Sequence, residues 1–219
     1  MTERYTGHVE PDGPWQERTD GDVSVRKLSV EAMDNNVYIV ACARTGAALL
    51  IDCAARPDRL AEAVVDRQPI AAVQTHGHWD HVRAWDDVRD RLGLEVWGHD
   101  GDAALFPRPV DANLTDGQRI QVGDIEVEVI HLPGHTEGSL LYLVHGEERP
   151  HLFSGDTLFP GGPGNTFGSA ENHRRIMDGL ESRVFGRLPD ETWVYPGHGD
   201  DTTLGAERPH LAEWRDRGW

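Results

Sequence analysis

The run His76-Gly77-His78-Trp79-Asp80-His81 sets four metal-ligand side chains within six residues. Imidazole nitrogen and carboxylate oxygen are the donors that a borderline divalent ion such as zinc takes from a protein. The stretch Ile70–Thr75 just ahead of it reads as a strand that would present this loop at its C-terminal end. Three more strand ends repeat the arrangement. Ile125–Ile130 alternates apolar and acidic residues, the period of a half-buried strand, and leads to Gly134-His135-Thr136. His151–Ser154 runs into Gly155-Asp156-Thr157, and Trp193-Val194-Tyr195 into Gly197-His198-Gly199. Taken alone, each has a plain alternative in a surface turn or a packed histidine. Four such ends in one chain point to a shared metal site.

The ordered set His76-x-His78-x-Asp80-His81, His135, Asp156 and His198 resembles the metallo-β-lactamase-fold superfamily, from about Val23 to His198. Within it, Gly155-Asp156-Thr157-Leu158-Phe159 and Pro133–Ser139 are similar to the hydroxyacylglutathione hydrolase (glyoxalase II) branch. The stretch Tyr195–Thr203 is similar to that branch's compact bacterial members. The resemblance implies an α+β fold, a four-layer αβ/βα sandwich of two mixed β-sheets with outer helices. It also implies two divalent metal ions, zinc foremost, with manganese or iron accepted by the same donors. His76, His78 and His135 would hold the first ion and Asp80, His81 and His198 the second, with Asp156 bridging them. Open coordination positions would then remain for water and substrate, the mark of a catalytic site.

Such a pair of ions lowers the pKa of water from about 15.7 to about 7. The implied reaction is attack of a metal-bridging hydroxide, oriented by Asp80 as catalytic residue, on a carbonyl carbon. A small acyl thioester of the hydroxyacyl-thiol type suits it, because a thiolate leaves without a strong general acid. Two departures from the branch bear on the substrate. Only about twenty residues follow His198, too few for the glutathione-holding helical extension of full-length glyoxalase II. Asn165 stands where many relatives carry a basic residue, leaving Arg174 and Arg175 as cationic candidates, although solvated helix arginines are the reading favoured for them. A different thiol carrier, a lactone or an ester therefore stays open.

The rival enzyme class is a mononuclear iron persulfide dioxygenase on the same fold, which would use His76, His135 and Asp156 as a facial triad. A metal-binding regulatory module has little need of bridging ligands, and a β-lactamase acting outside the cell would need an export signal. None is visible, nor is any apolar run of membrane-spanning length, so the expectation is a cytoplasmic protein. A formal charge of −17, with Lys27 as the single lysine, argues against nucleic acid as partner. A monomer or homodimer acting on a small-molecule substrate, away from any membrane, is the expectation.

Positioning the site falls to elements read from pattern. Residues 1–21 are polar and rich in Gly, Pro and charge, and read as an N-terminal arm that Trp15 could anchor; residues 22–219 read as one domain. Strands are expected at Val23–Val30, Asn36–Cys42, Gly46–Cys53, Ile70–Thr75, Leu94–Gly98, Gln118–Val122, Ile125–Ile130, Ser139–Val144, Leu152–Ser154 and Thr192–Tyr195. Helices are expected at Pro57–Arg67, Val82–Leu92, Ala170–Glu181 and, interrupted at Pro209, Leu204–Arg215. Asp52 ends a strand and, by the resemblance, braces the metal loop. His131 reads as the polar end of a strand, and His8, His99, His145, His151, His173 and His210 as surface or packing residues. Cys42 and Cys53 read as buried free thiols.

Overall fold

A computed structural model of the chain describes residues 5–218. Its first sheet contains β1 (Gln16–Asp20), β2 (Val23–Val30), β3 (Asn35–Cys42), β4 (Ala47–Ile51), β5 (Gln68–Val73), β6 (Val96–Gly98) and β7 (Ala112–Asn113), adjacent in that order. The first four strands pair antiparallel and the rest parallel, so the sheet is mixed. The second sheet is built from β8 (Arg119–Val122), β9 (Ile125–His131), β10 (Leu140–His145) and β11 (Pro150–Gly155). A small ribbon of β12 (Leu158–Phe159) and β13 (Gly162–Pro163) leaves it before the chain returns as β14 (Trp193–Pro196) and β15 (Thr202–Thr203). The strand order is β15-β14-β11-β10-β9-β8, with β11 and β14 parallel.

Three apolar clusters define four layers. Alternation along β3 sends Val37, Ile39 and Ala41 to one face and Tyr38, Val40 and Cys42 to the other. The first set packs under the helices α1 (Pro57–Val64) and α2 (Trp85–Leu92), through Leu60, Trp85 and Val88. The second set meets the other sheet through Val129, Tyr142, Phe153 and Tyr195. On that sheet's far side, Leu141, Leu143 and Val194 pack against α3 (Ala170–Gly179) and, beyond α4 (Leu204–Glu207), α5 (Leu211–Arg217), with Ile176, Met177 and Trp214. This is the expected αβ/βα sandwich. Where both faces are covered, as along β3, β4 and β10, the strands are nearly continuous apolar runs.

The differences from the sequence expectation have local causes. Gln16–Asp20, inside the stretch read as an arm, is the edge strand of the first sheet and pairs with β2 in register Gln16 with Lys27. Its residues are all polar, so no hydrophobic alternation marks it; its strand character comes from a neighbour with a free edge. Residues 1–4 of the expected arm lie outside the described residues. The terminal helix breaks at Pro209, which lies in a single 3₁₀ turn between α4 and α5. Cys42 and Cys53 are buried and free. Among the described residues no helix is long and apolar enough to cross a membrane.

Candidate metal centre

Every one of the seven sequence-selected residues arrives at the same end of the sandwich. His76 and His78 follow β5, and Asp80 and His81 lie in one 3₁₀ turn, Trp79–His81. His135 follows β9, Asp156 follows β11 and His198 follows β14. Three overlapping groups of donor atoms result, each within 4.8 Å: His76, His78 and His135; His76, His81 and Asp156; Asp80, His81 and His198. His76 Nε2 lies 3.1 Å and His135 Nε2 2.9 Å from His78 Nδ1. His198 Nε2 lies 3.1 Å from His81 Nε2 and 3.3 Å from Asp80 Oδ2. Asp156 faces both groups, with Oδ1 3.4 Å from His81 Nε2 and Oδ2 3.6 Å from the Nε2 atoms of His135 and His198.

Hydrogen bonds at the far side of the rings assign their tautomers. His135 Nδ1 donates to the carbonyl of Asn165 at 2.8 Å, and His198 Nδ1 to the carbonyl of Met33 at 2.8 Å. His81 Nδ1 donates to Asp52 Oδ2 at 2.9 Å. Thr75 Oγ1 gives its proton to Asp52 Oδ2, so it accepts from His76 Nδ1 at 3.1 Å. With those protons outward, the Nε2 atoms of His81 and His198 face each other and those of His76 and His135 face His78 Nδ1. Lone pairs facing across 3.1 Å repel unless a cation stands between them. Ligands about 2.0–2.1 Å from a tetrahedral zinc are about 3.3–3.4 Å apart, close to the spacings found. Asp156 Oδ1 is buried without a hydrogen-bond partner among the described residues. The donor set fits divalent metal, and a ring that donates its other N–H to a carboxylate or carbonyl is the usual way such ligands are oriented.

The electrostatics divide the cluster. Burial, and then the neighbouring imidazoles, hold His76 well below the ordinary histidine range, and burial with His135 lowers His78. For His81 burial works the same way but is outweighed by Asp156, Asp52 and Asp80, which raise it to about 9. His198 is likewise raised against its burial by Asp80 and Asp156. Burial of Asp80 is overcome by His198, His81 and Asn35, leaving its carboxyl well below the usual range.

Several supporting residues carry no sequence motif. Asn35 Nδ2 donates to Asp80 Oδ2 at 2.9 Å. Asp102 accepts from Gly77 N at 2.8 Å, Gly138 N at 2.7 Å and Thr136 Oγ1 at 2.8 Å, joining the loops of both sheets. Only an Asn-Asn pair at the head of an apolar strand could have flagged Asn35; Asp102 had no signal beyond its charge. Asp52 does brace the loop, through the backbone N–H of Thr75 at 2.7 Å as well as through Thr75 Oγ1 and His81. Arg175 pairs with Glu137 at 2.6 Å. Tyr195 lies in the core between the sheets rather than in the cleft. Gly197 is required by space, because a Cβ there would lie 2.0 Å from Asp156 Oδ1.

Comparison with known proteins gives one family. The metallo-beta-lactamase superfamily pattern matches residues 30–198. A hydroxyacylglutathione hydrolase of Rhodospirillum rubrum is 37% identical over 167 residues, covering 75% of this chain and 62% of that enzyme. The hydroxyacylglutathione hydrolase GloC of Haemophilus influenzae is 28% identical over 206 residues, covering 85% of this chain and 95% of that one. Among solved structures, TTHA1623 in a di-iron-bound form is 29% identical with a TM-score of 0.68, over 83% of this chain and 96% of that one.

Proposed function

Because this chain belongs to the metallo-β-lactamase superfamily, we propose that it is a dinuclear metallohydrolase, a thioesterase acting on a small acyl thioester of the hydroxyacyl-thiol type. The observation that carries the reading is the pairing of two donor groups across Asp156, with His76, His78 and His135 on one side and Asp80, His81 and His198 on the other. When bound there, divalent ions supply a water nucleophile acidic enough to act near neutral pH and Lewis acidity for the substrate carbonyl. Zinc is the first candidate; the di-iron neighbour keeps iron in view. Asp80 is held ionised, fixed by Asn35, and is the residue that would orient the attacking water by accepting its proton in a hydrogen bond. Asp52 and the carbonyls of Asn165 and Met33 take the outer nitrogens of His81, His135 and His198, so that these three rings would keep facing the cleft. A thiolate would then depart without a general acid. The relatives that are hydroxyacylglutathione hydrolases support this substrate class.

A mononuclear iron persulfide dioxygenase using His76, His135 and Asp156 is the alternative, and a lactone or ester hydrolase another. The first leaves Asp80, His81 and His198 without a task although the fold gathers them as tightly as the others. Elemental analysis of protein purified without added metal, followed by a panel of thioesters, esters and lactones, decides. Close to two ions per chain and turnover of thioesters is the expected result. Close to one iron, with oxygen consumed in the presence of persulfide, overturns it.

A further inference from the structure

Lys27 is the chain's single lysine, and it is fully buried. Its three ammonium protons are all spoken for: Nζ donates to the carbonyl of Gly7, the carbonyl of Gly199 and Asp201 Oδ1, each at 2.7 Å. Asp201 is completed by Tyr5 Oη at 2.6 Å and Trp193 Nε1 at 2.9 Å, and its own N–H reaches the Gly7 carbonyl at 3.1 Å. The residue next to Gly199 is His198. Resting on the dinuclear reading above, we propose that Lys27 is a positioning residue for His198, locking the loop that brings this imidazole from the second sheet to the second metal position.

The geometry of the loop leads there. Among the described residues the outer nitrogen of His198 has one partner, the Met33 carbonyl, so its placement depends on the backbone either side of it. On one side the head of β3 holds that backbone: Asn36 N donates to Gly197 O at 2.8 Å, Gly199 N to Asp34 O at 3.2 Å, and Asn36 Nδ2 to the carbonyls of Pro196 and Gly199 at 2.9 Å. On the other side Lys27 takes the second lone pair of the same Gly199 carbonyl. The N-terminal segment enters through Gly7 and Tyr5, so residues 5–7 close the lock. A compact ammonium with three divergent protons matches three acceptors in a dry site; the planar fork of arginine does not.

A buried ion pair also stabilises a fold, and the neighbouring residue supplies the control. Arg26, on the opposite face of β2, is nearly as buried and pairs with Glu17 at 2.7 Å and Asp66 at 2.9 Å, with no link to the metal cluster. Removing one partner of a buried pair leaves an uncompensated charge, so the test variant neutralises both, Lys27→Met with Asp201→Asn. Zinc is titrated calorimetrically into the metal-stripped full chain, and the cobalt-substituted protein is followed by its visible absorption. In the double variant the second ion should bind about tenfold or more weakly, with the first ion and the thermal midpoint close to wild type; Arg26→Met should bind both ions normally. Two ions bound with wild-type affinity in the double variant overturn the proposal, and so does equal weakening in Arg26→Met. Should the double variant fail to fold, Tyr5→Phe loosens Asp201 without unpairing a charge. A several-fold weaker second ion then supports the link, and unchanged affinity overturns it. Wild-type protein that binds two ions but hydrolyses no thioester removes the substrate reading alone; wild type that binds one ion removes both.

Discussion

On the first sheet, the ligand loop after β5 hangs from buried carboxylates: Asp52 takes the backbone of Thr75, its hydroxyl and His81, and Asp102 takes the backbone of Gly77. On the second sheet, the outer nitrogens of His135 and His198 go to main-chain carbonyls, and Asp156 sits against bare glycine at position 197. One sheet places its ligands through side chains, the other through the path of the backbone. A dense motif of four donor residues in six positions cannot be held by strand geometry alone, since the adjacent Asp80 and His81 must both face the cluster; charged braces supply what the strand cannot. Single ligands at the ends of three separate strands are placed by the backbone that leaves the strand, with a carbonyl behind the rings of His135 and His198. The first arrangement should therefore fail when a side chain is removed, and the second when an atom is added.

The largest effect is expected at Asp80. Asp80→Ala should lower hydrolysis at least about a hundredfold, the scale of a lost acid–base group, while the thermal midpoint stays near wild type. Steady-state turnover beside a melting curve checks it, and near-normal turnover removes Asp80 from the mechanism. On the second sheet the matching break is an addition: Gly197→Ala puts a methyl 2.0 Å from Asp156 Oδ1 and 3.0 Å from His81 Cε1. Asp156 must then shift, and activity and bound metal should both fall, by about ten- to a hundredfold in affinity. Unchanged metal content would show that Asp156 has freedom the packing denies it. Asp52→Asn comes next. The amide keeps the shape but turns an N–H₂ toward donors, so a zinc titration should show affinity lower by about tenfold. For His135 no equivalent substitution exists, because its brace is a carbonyl.

The same division explains what could be read without coordinates. That the seven residues would come together was legible, since each lies just past a strand end that composition announces. The sandwich was legible for the same reason: β4 and the body of β3, Val37–Cys42, are apolar on both faces, as strands covered from both sides must be. Asn35, Asp102 and Lys27 were not, because their roles depend on contacts far apart in sequence; Lys27 reaches Asp201 across 174 positions. Gln16–Asp20 was hidden differently. Its side chains say nothing of a strand, and only the unpaired edge of β2 makes it one.

A last contrast sets two buried histidines with carboxylate partners against each other. His81 is ringed by Asp52, Asp80 and Asp156 and is raised to about 9 despite burial. His151, in the core of the second sheet, has Asp20 Oδ2 at 3.0 Å from Nε2 and the hydroxyl of Tyr195 at 2.8 Å from Nδ1; burial prevails over Asp20 and lowers it to about 4. Below about pH 6.5 the unfolded chain takes up a proton at this position that the folded chain refuses until about pH 4. The stability due to His151 is thus complete above pH 6.5 and is lost as the pH falls toward 4. At pH 5 the loss should be about 2 kcal/mol. Urea midpoints of wild type and His151→Gln, taken from pH 7 to 5 under one fixed metal condition, isolate it: the wild type should lose more stability by that amount. Parallel curves would mean that Asp20 holds His151 protonated, and that a single carboxylate does in the core what three do at the metal site.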